Sequence, residues 1–351
     1  VFLGEEAGHA STTGDNNVYL GYQAGYGSSH VASDNVAIGW KSMGNRTTGH
    51  ENVVVGSSAG LDMTTAADNV MVGFSAAENY SEAQRNIAIG HKSHFVAQYA
   101  NDNVVIGYHA GYNCNLSDWN ILIGAYAGYK LGDAGGASGN NDGDSSYNTA
   151  IGYEAMGGGS ATAATNVAAV CVAVGYHALG GSTRGSDGGA ITGDGTVAVG
   201  GHALEDLTDG AGNTALGYQS GKNITTGDYN TTLGHNAGAT LVDDTNNVLI
   251  GYKSGESSVA SNTVAIGFET IKGSVTTGAN GTVAIGSSAL TALTSGANAV
   301  AIGYQAGQAL TTGGYSVFIG YQAGLEHTAS NNVAIGDRAF FSTNAGSNSL
   351  A

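Results

Sequence analysis

The sequence predicts an all-β fold, a parallel β-solenoid with coils of about 17 residues, on three observations. One unit recurs along all 351 residues: Asn, apolar, variable, apolar, Gly, two variable positions, a small residue and often a second Gly. The two apolar positions stand two apart, as in a short strand that turns alternate side chains to one face. The chain also holds 59 glycines and no proline, a composition that favours tight turns and leaves every backbone N–H able to pair.

The strand segments come first. Anchored on its central glycine, the unit occurs nineteen times from Gly4 to Gly336, as in Asn17-Val-Tyr-Leu-Gly21 and Asn103-Val-Val-Ile-Gly107. Eleven of the eighteen spacings are 17 residues and four more are 16, 18 or 19, so the copies stack in a constant register. The residue before the glycine is Ile, Val or Leu throughout, and the one three before it is Val, Ile or Thr. These pairs, such as Val36 and Ile38, Val104 and Ile106, Val264 and Ile266, and Val333 and Ile335, are expected to fill the coil interior. A strand this short cannot hide an apolar face alone, so each unit must stack on the next.

The turn follows. The glycines, among them Gly21, Gly39, Gly107, Gly267 and Gly336, are expected to end each strand with positive φ or a close approach to the neighbouring coil. Between the paired apolar residues stands Ala in ten copies, and Thr232 is the lone polar occupant. Alternation sends this position to the opposite face, and a strand apolar on both faces is buried on both. Ala88, Ala265, Ala301 and Ala334 are therefore expected to meet another copy of the chain. Twelve copies carry Asn four before the glycine, including Asn17, Asn35, Asn52, Asn69, Asn86, Asn103 and Asn120. Such a column is expected to form a hydrogen-bonded ladder between coils or to cap its own turn. An aromatic residue follows the glycine in eleven copies, and regular spacing favours ring stacking over a row of sugar platforms.

Three spacings depart from the rule. The intervals between Gly124 and Gly200 are 28, 23 and 25 residues, which divides the chain into regular repeats over 1–128, repeats with long insertions over 129–199, and regular repeats over 200–351. The insertions carry Asp and Asn, and Asp142 and Asp144 are the calcium candidates, although solvated loops have the same composition. Val1 begins within a copy and Asn348-Ser-Leu-Ala351 opens a further one, so the chain is expected to be a segment of a longer protein.

Composition excludes several classes. Glycine at every third position is absent, so the chain is not collagen. With 42% hydrophobic and 11% charged residues it is not a disordered segment. A net charge of −17 argues against nucleic acid and anionic membrane surfaces as partners. Cys114 and Cys171 offer neither a disulfide framework nor metal-ligand spacing. Gly56-Ser-Ser-Ala-Gly60 matches the nucleophile-elbow pattern, but Ser58 stands where other copies have Gln or His, which points to a variable repeat position. No catalytic residue and no cofactor is therefore expected.

The unit Asn332-Val-Ala-Ile-Gly336, with Thr263-Val-Ala-Ile-Gly267, resembles the YadA-like head repeats of trimeric autotransporter adhesins and the similar repeats of bacteriophage tail fibres. The resemblance covers essentially the whole chain. It implies a left-handed parallel β-roll, a homotrimer, an extracellular location on a virion tail fibre or cell surface, and a role in attachment to a host glycan or protein. The longer coil, the second glycines such as Gly25 and Gly111, and the insertions depart from the family pattern. Three other functions stay open: a self-assembling matrix filament, which shares every feature; a polysaccharide-degrading tailspike enzyme, which would need paired carboxylates that do not stand out; and an ice-binding solenoid, whose Thr pairs such as Thr225-Thr226 are not continuous.

Overall fold

The computed structural model describes the whole chain except residues 10, 12, 28–30, 46–47, 116, 133–144, 158–167, 181–190, 258–259, 274, 276–279 and 343–345. The described residues form short parallel strands joined by turns, with no helix. The chain divides into two compact units, Val1–Thr192 and Gly193–Ala351.

The first unit contains β1 (Phe2–Leu3), β2 (Val18–Leu20), β3 (Val36–Ile38), β4 (Val53–Val55), β5 (Val70–Val72), β6 (Ile87–Ile89), β7 (Val104–Ile106), β8 (Ile121–Ile123), β9 (Thr149–Ile151) and β10 (Val172–Val174). The second contains β11 (Val197–Val199), β12 (Thr214–Leu216), β13 (Thr231–Leu233), β14 (Val248–Ile250), β15 (Val264–Ile266), β16 (Val283–Ile285), β17 (Val300–Ile302), β18 (Val317–Ile319) and β19 (Val333–Ile335). Within each unit every strand pairs in parallel with the equivalent strand of the next coil. In the first unit Val36 stands opposite Val53, Ala37 opposite Val54 and Ile38 opposite Val55. In the second, Val264 stands opposite Val283 and Ile266 opposite Ile285. Each unit is thus a β-solenoid.

The chain closes its coils through left-handed corners. In the coil of Gly90 these fall at Arg85 (φ 56°), Lys92 (φ 49°) and His94 (φ 49°), with Gly90 itself at φ 133°. A Cβ on Gly90 would lie 2.4 Å from the Gly107 carbonyl oxygen, and one on Gly107 would lie 2.4 Å from that of Gly124. No side chain fits there, which is why the glycine column is unbroken.

The two strand faces are the reverse of those expected. The residue between the paired β-branched positions points inward. From Tyr19 and Ala37 through Ala88, Ala265, Ala301 and Ala334 these side chains are shut from solvent at 0%. Ala88, Ala265, Ala301 and Ala334 therefore line the coil interior and cannot form an oligomer face. Val36 and Ile38, Val104 and Ile106, and Val264 and Ile266 point outward and are half-buried. At the last strand Val333 is half-buried and Ile335 is 59% exposed. The physical reason is volume. A coil of this size encloses a narrow space, and most of it is filled by residues of the return path rather than by the strand.

That return path obeys a rule of size. The position four after the glycine lies in the interior, and in most coils its bulk is inverse to that of the strand residue two before the glycine. Ala37 faces Met43, Ala173 faces Leu179, Ala198 faces Leu204, and Ala284 faces Leu290, all at 0% exposure. Where the strand supplies a large side chain, glycine takes the other position. A Cβ on Gly25 would lie 2.7 Å from the Tyr19 ring, one on Gly128 would lie 2.8 Å from Leu122 Cδ1, and one on Gly324 would lie 2.5 Å from the Phe318 ring. Interiors pack at near-crystalline density, so two side chains cannot share that volume and an empty one is costly. Most of the second glycines that distinguish this repeat are the counterparts of large strand residues; Gly221 and Gly307 instead stand with Ala215 and Ala301 and are met by Leu204 and Leu290 of the preceding coil. Met63, Leu131, Leu207, Leu241 and Leu310, each seven after a glycine, complete the core.

Candidate functional site

The outward face of the strands is the surface that calls for a partner. Val and Ile stand there coil after coil, and Val53, Val72, Ile87, Ile121, Ile151 and Ile302 are 36–41% exposed. The aromatic residue after each glycine continues the strip: Tyr22, Trp40, Phe74, Tyr108, Tyr153, Tyr218, Tyr252 and Tyr304 are 40–51% exposed. The rings stack on one another where coils are adjacent. Phe74, His91 and Tyr108 follow at 5.2 Å between centroids, Tyr252 and Phe268 at 5.4 Å, and Tyr304 and Tyr321 at 5.4 Å. Each ring therefore covers its neighbour's face and offers mainly edges to solvent.

A buried Asn column runs beside the strands. Asn52 donates its backbone N–H and its Nδ2 to Asn35 Oδ1, both at 3.1 Å. The same pair of bonds joins Asn35 to Asn17, Asn69 to Asn52, Asn86 to Asn69, Asn103 to Asn86 and Asn120 to Asn103. Most of them also donate Nδ2 to backbone carbonyls, as Asn86 does to Gln84 and Ala100. These side chains are almost wholly inaccessible, and their donors and acceptors are spent on the backbone. They offer nothing to a ligand.

Sequence reasoning passed over the interior polar pair Tyr80 and His94, both at 0% exposure. The Tyr80 hydroxyl bonds His94 Nδ1, and the rings meet edge to face at 5.3 Å. Burial holds the His94 imidazole down to about 3, so it is neutral, and burial pushes the Tyr80 phenol well above its ordinary value. His94 stands four after Gly90 and faces Ala88, so the size rule would have revealed it as an interior residue. Cys114 and Cys171 are buried and form no disulfide; Cys114 Sγ donates to the Gly128 carbonyl and Cys171 Sγ to that of Ala169.

The remaining candidates separate clearly. Ser58 lies 8% exposed on a left-handed corner with φ 54°, in the register that holds Gln23 and His109 elsewhere. Asp142 and Asp144 lie outside the described residues, as does most of the three insertions. Among the described residues His50, Glu51 and Asp68 bring three ligand atoms within 4.8 Å of one another on the surface. A hydrogen bond shared with Asp68 raises the Glu51 carboxyl above its usual range. Thr64, Thr208, Thr225 and Thr294 donate their hydroxyls to carbonyls one coil away. No helix among the described residues is long and apolar enough to cross a membrane.

No protein-family model matches the chain, and no curated protein matches it.

Proposed function

We propose that this chain is a structural and attachment segment of an extracellular fibre, without catalytic activity, that assembles with copies of itself, most simply as a homotrimer. The observation that carries the reading is the outward strip of Val, Ile and aromatic side chains, repeated in most coils and only half-covered. An apolar patch that extends well beyond a few hundred Å² marks an interface. A strand apolar on both faces is stable in water only when both are covered, and the coil interior covers just one. Identical strips on identical coils match when the partner is a second copy in the same axial register. The resemblance to the repeats of trimeric adhesins and phage tail fibres supports three copies, a location outside the cell, and attachment to a host glycan or protein. The charge of −17 keeps such a fibre soluble and turns it away from anionic surfaces.

Native mass measurement tests the assembly. Three copies of the 34.8 kDa chain are expected, and Ile87→Lys with Ile106→Lys and Ile121→Lys should release folded monomers, because these side chains touch solvent rather than core. A parent chain that is monomeric at all concentrations overturns the reading. A mass distribution without an upper bound replaces the trimer with an open filament.

A further inference from the structure

We infer that a notch on the outer surface of the first unit binds a neutral hexopyranose, the sugar ring lying on the open face of Tyr26. The notch is a cleft of about 230 Å³ lined by Gln23, Tyr26, Lys41, Gly44, Asn45 and Leu61. Its origin is a missing side chain. The position five after the central glycine carries His9, Tyr26, Gly44, Leu61, Glu78, Phe95, Tyr112 and Tyr129 in successive coils. Where rings are consecutive in this column they stack: His9 on Tyr26 at 5.2 Å, Phe95 on Tyr112 at 5.0 Å, and Tyr112 on Tyr129 at 5.2 Å. Gly44 breaks the column. Tyr26 has His9 on one face and the notch on the other, with Leu61, whose Cδ1 lies 2.7 Å from where a Gly44 Cβ would stand, leaning in to close the far side.

The dimensions suit a ring. Adjacent coils are spaced as parallel strands are, so two coils span about 10 Å, and the cleft of about 230 Å³ beside Tyr26 and Leu61 has room for one sugar ring. The walls supply what a saturated polyol needs. An aromatic face takes the C–H side of a pyranose, and the polar rim takes its hydroxyls. That rim holds the Gln23 and Asn45 amides and the Lys41 ammonium, whose Nζ sits 4.7 Å from the Trp40 ring centroid. Gln23 Nε2 donates to Glu6 Oε2 and Asn45 Nδ2 donates to Asp62 Oδ1, so both amides are oriented and two carboxylates stand near to accept hydroxyl protons. Those carboxylates, with a chain charge of −17, select a neutral sugar over a uronic or sialic acid.

The inference deepens the attachment reading and rests on it, yet the two fail separately. Methyl β-galactopyranoside and methyl α-glucopyranoside serve as neutral probes, with glucuronate as the charged control, in NMR titrations of the native assembly. At least one neutral glycoside should saturate with millimolar affinity, shift the Gln23 and Asn45 side-chain amides, and bind at least tenfold more tightly than glucuronate. Gly44→Tyr restores the ring column and fills the notch. Gly44 has no left-handed φ, and its Cβ would meet the movable Leu61 Cδ1 end at 2.7 Å and the Lys41 carbonyl oxygen at 3.3 Å, so with a shift of Leu61 the variant should fold and lose binding. Tyr26→Ala removes the platform and should lose binding independently. Absence of saturable shifts with either neutral glycoside, or full binding by folded Gly44→Tyr, overturns the inference. In that event the fibre reading stands or falls on its mass and on attachment elsewhere along its surface.

Discussion

The size rule of the interior makes a sharp prediction at Leu122 and Gly128. Leu122 is 1% exposed, and a Cβ on Gly128 would lie 2.8 Å from both of its Cδ atoms. Leu122→Ala alone empties part of a dry core and should cost about 3–5 kcal/mol. Gly128→Leu alone should cost about 1–2 kcal/mol for a left-handed corner. Overpacking against Leu122 adds about 1–3 kcal/mol to that. The double variant recreates the Ala173 and Leu179 arrangement, in which Leu179 sits at φ 50° with no exposure. Clash and cavity then disappear together, and about 1–2 kcal/mol of corner strain remains. The coupling energy should therefore be about 4 kcal/mol or more in favour of the pair, large for side chains in contact. Denaturant unfolding followed by far-UV circular dichroism measures it, and amide exchange at Ile121 and Ile123 localises it to the coil, since stacked repeats need not melt as one unit. Additive destabilisation by the two substitutions would refute the rule.

Three further outcomes follow from the same geometry. His94 is neutral in the fold with its proton affinity lowered to about 3 from 6.5, so the unfolded chain binds more protons between those values and stability falls with pH across that window. The loss should reach about 3 kcal/mol by pH 4, and Tyr80→Phe with His94→Leu should flatten the profile in urea titrations. Asn86→Ala removes the acceptor of the Asn103 N–H and the donor to the Ala100 carbonyl, at a cost of about 2–4 kcal/mol in a thermal melt, while Asn86→Thr should recover part of it as Thr263 does by bonding Ala260 and Asn247. Gly90→Ala drives a methyl against the Gly107 carbonyl, and limited proteolysis should open that coil first while the Gly90→Ala chain stays folded elsewhere.

The strands were legible because their signal is one-dimensional: Val-Ala-Ile-Gly with a constant period places a three-residue strand at Val36–Ile38 and again at Val264–Ile266 with no tertiary information. Period alone cannot say which face is inside. Val and Ile are better strand formers than Ala and were assigned to the core on bulk, yet the outward positions also need strand propensity, and the inward one must share its space with a residue six further on. That residue reads as noise when taken alone, being Met43, His94, Gly111 or Leu179 in different coils. It becomes regular only when paired with Ala37, Ala88, Val105 or Ala173. The surface notch was invisible for a related reason, since Gly44 signals nothing until the stacked column it interrupts is seen in space.

The pairing of large with small inside a single coil also bears on how such a chain can grow. A coil whose interior partners both lie within its own 17 residues is self-sufficient in volume, so copying or deleting it leaves every neighbouring core as it was. The coil of Gly39 approaches this kind, with Ala37 and Met43 paired and both fully buried. Other coils are not. Ala215 and Gly221 are both small, as are Ala301 and Gly307, and their space is entered by Leu204 and Leu290 from the preceding coil and, at Gly307, by Phe318 from the next, as Leu122 enters that over Gly111. Lengthening by duplication is free at the first kind of coil and forbidden within the second, where two adjacent coils must be inherited as a block. The unit of inheritance in this fold is therefore set by where a side chain's bulk falls, and only secondarily by the 17-residue period.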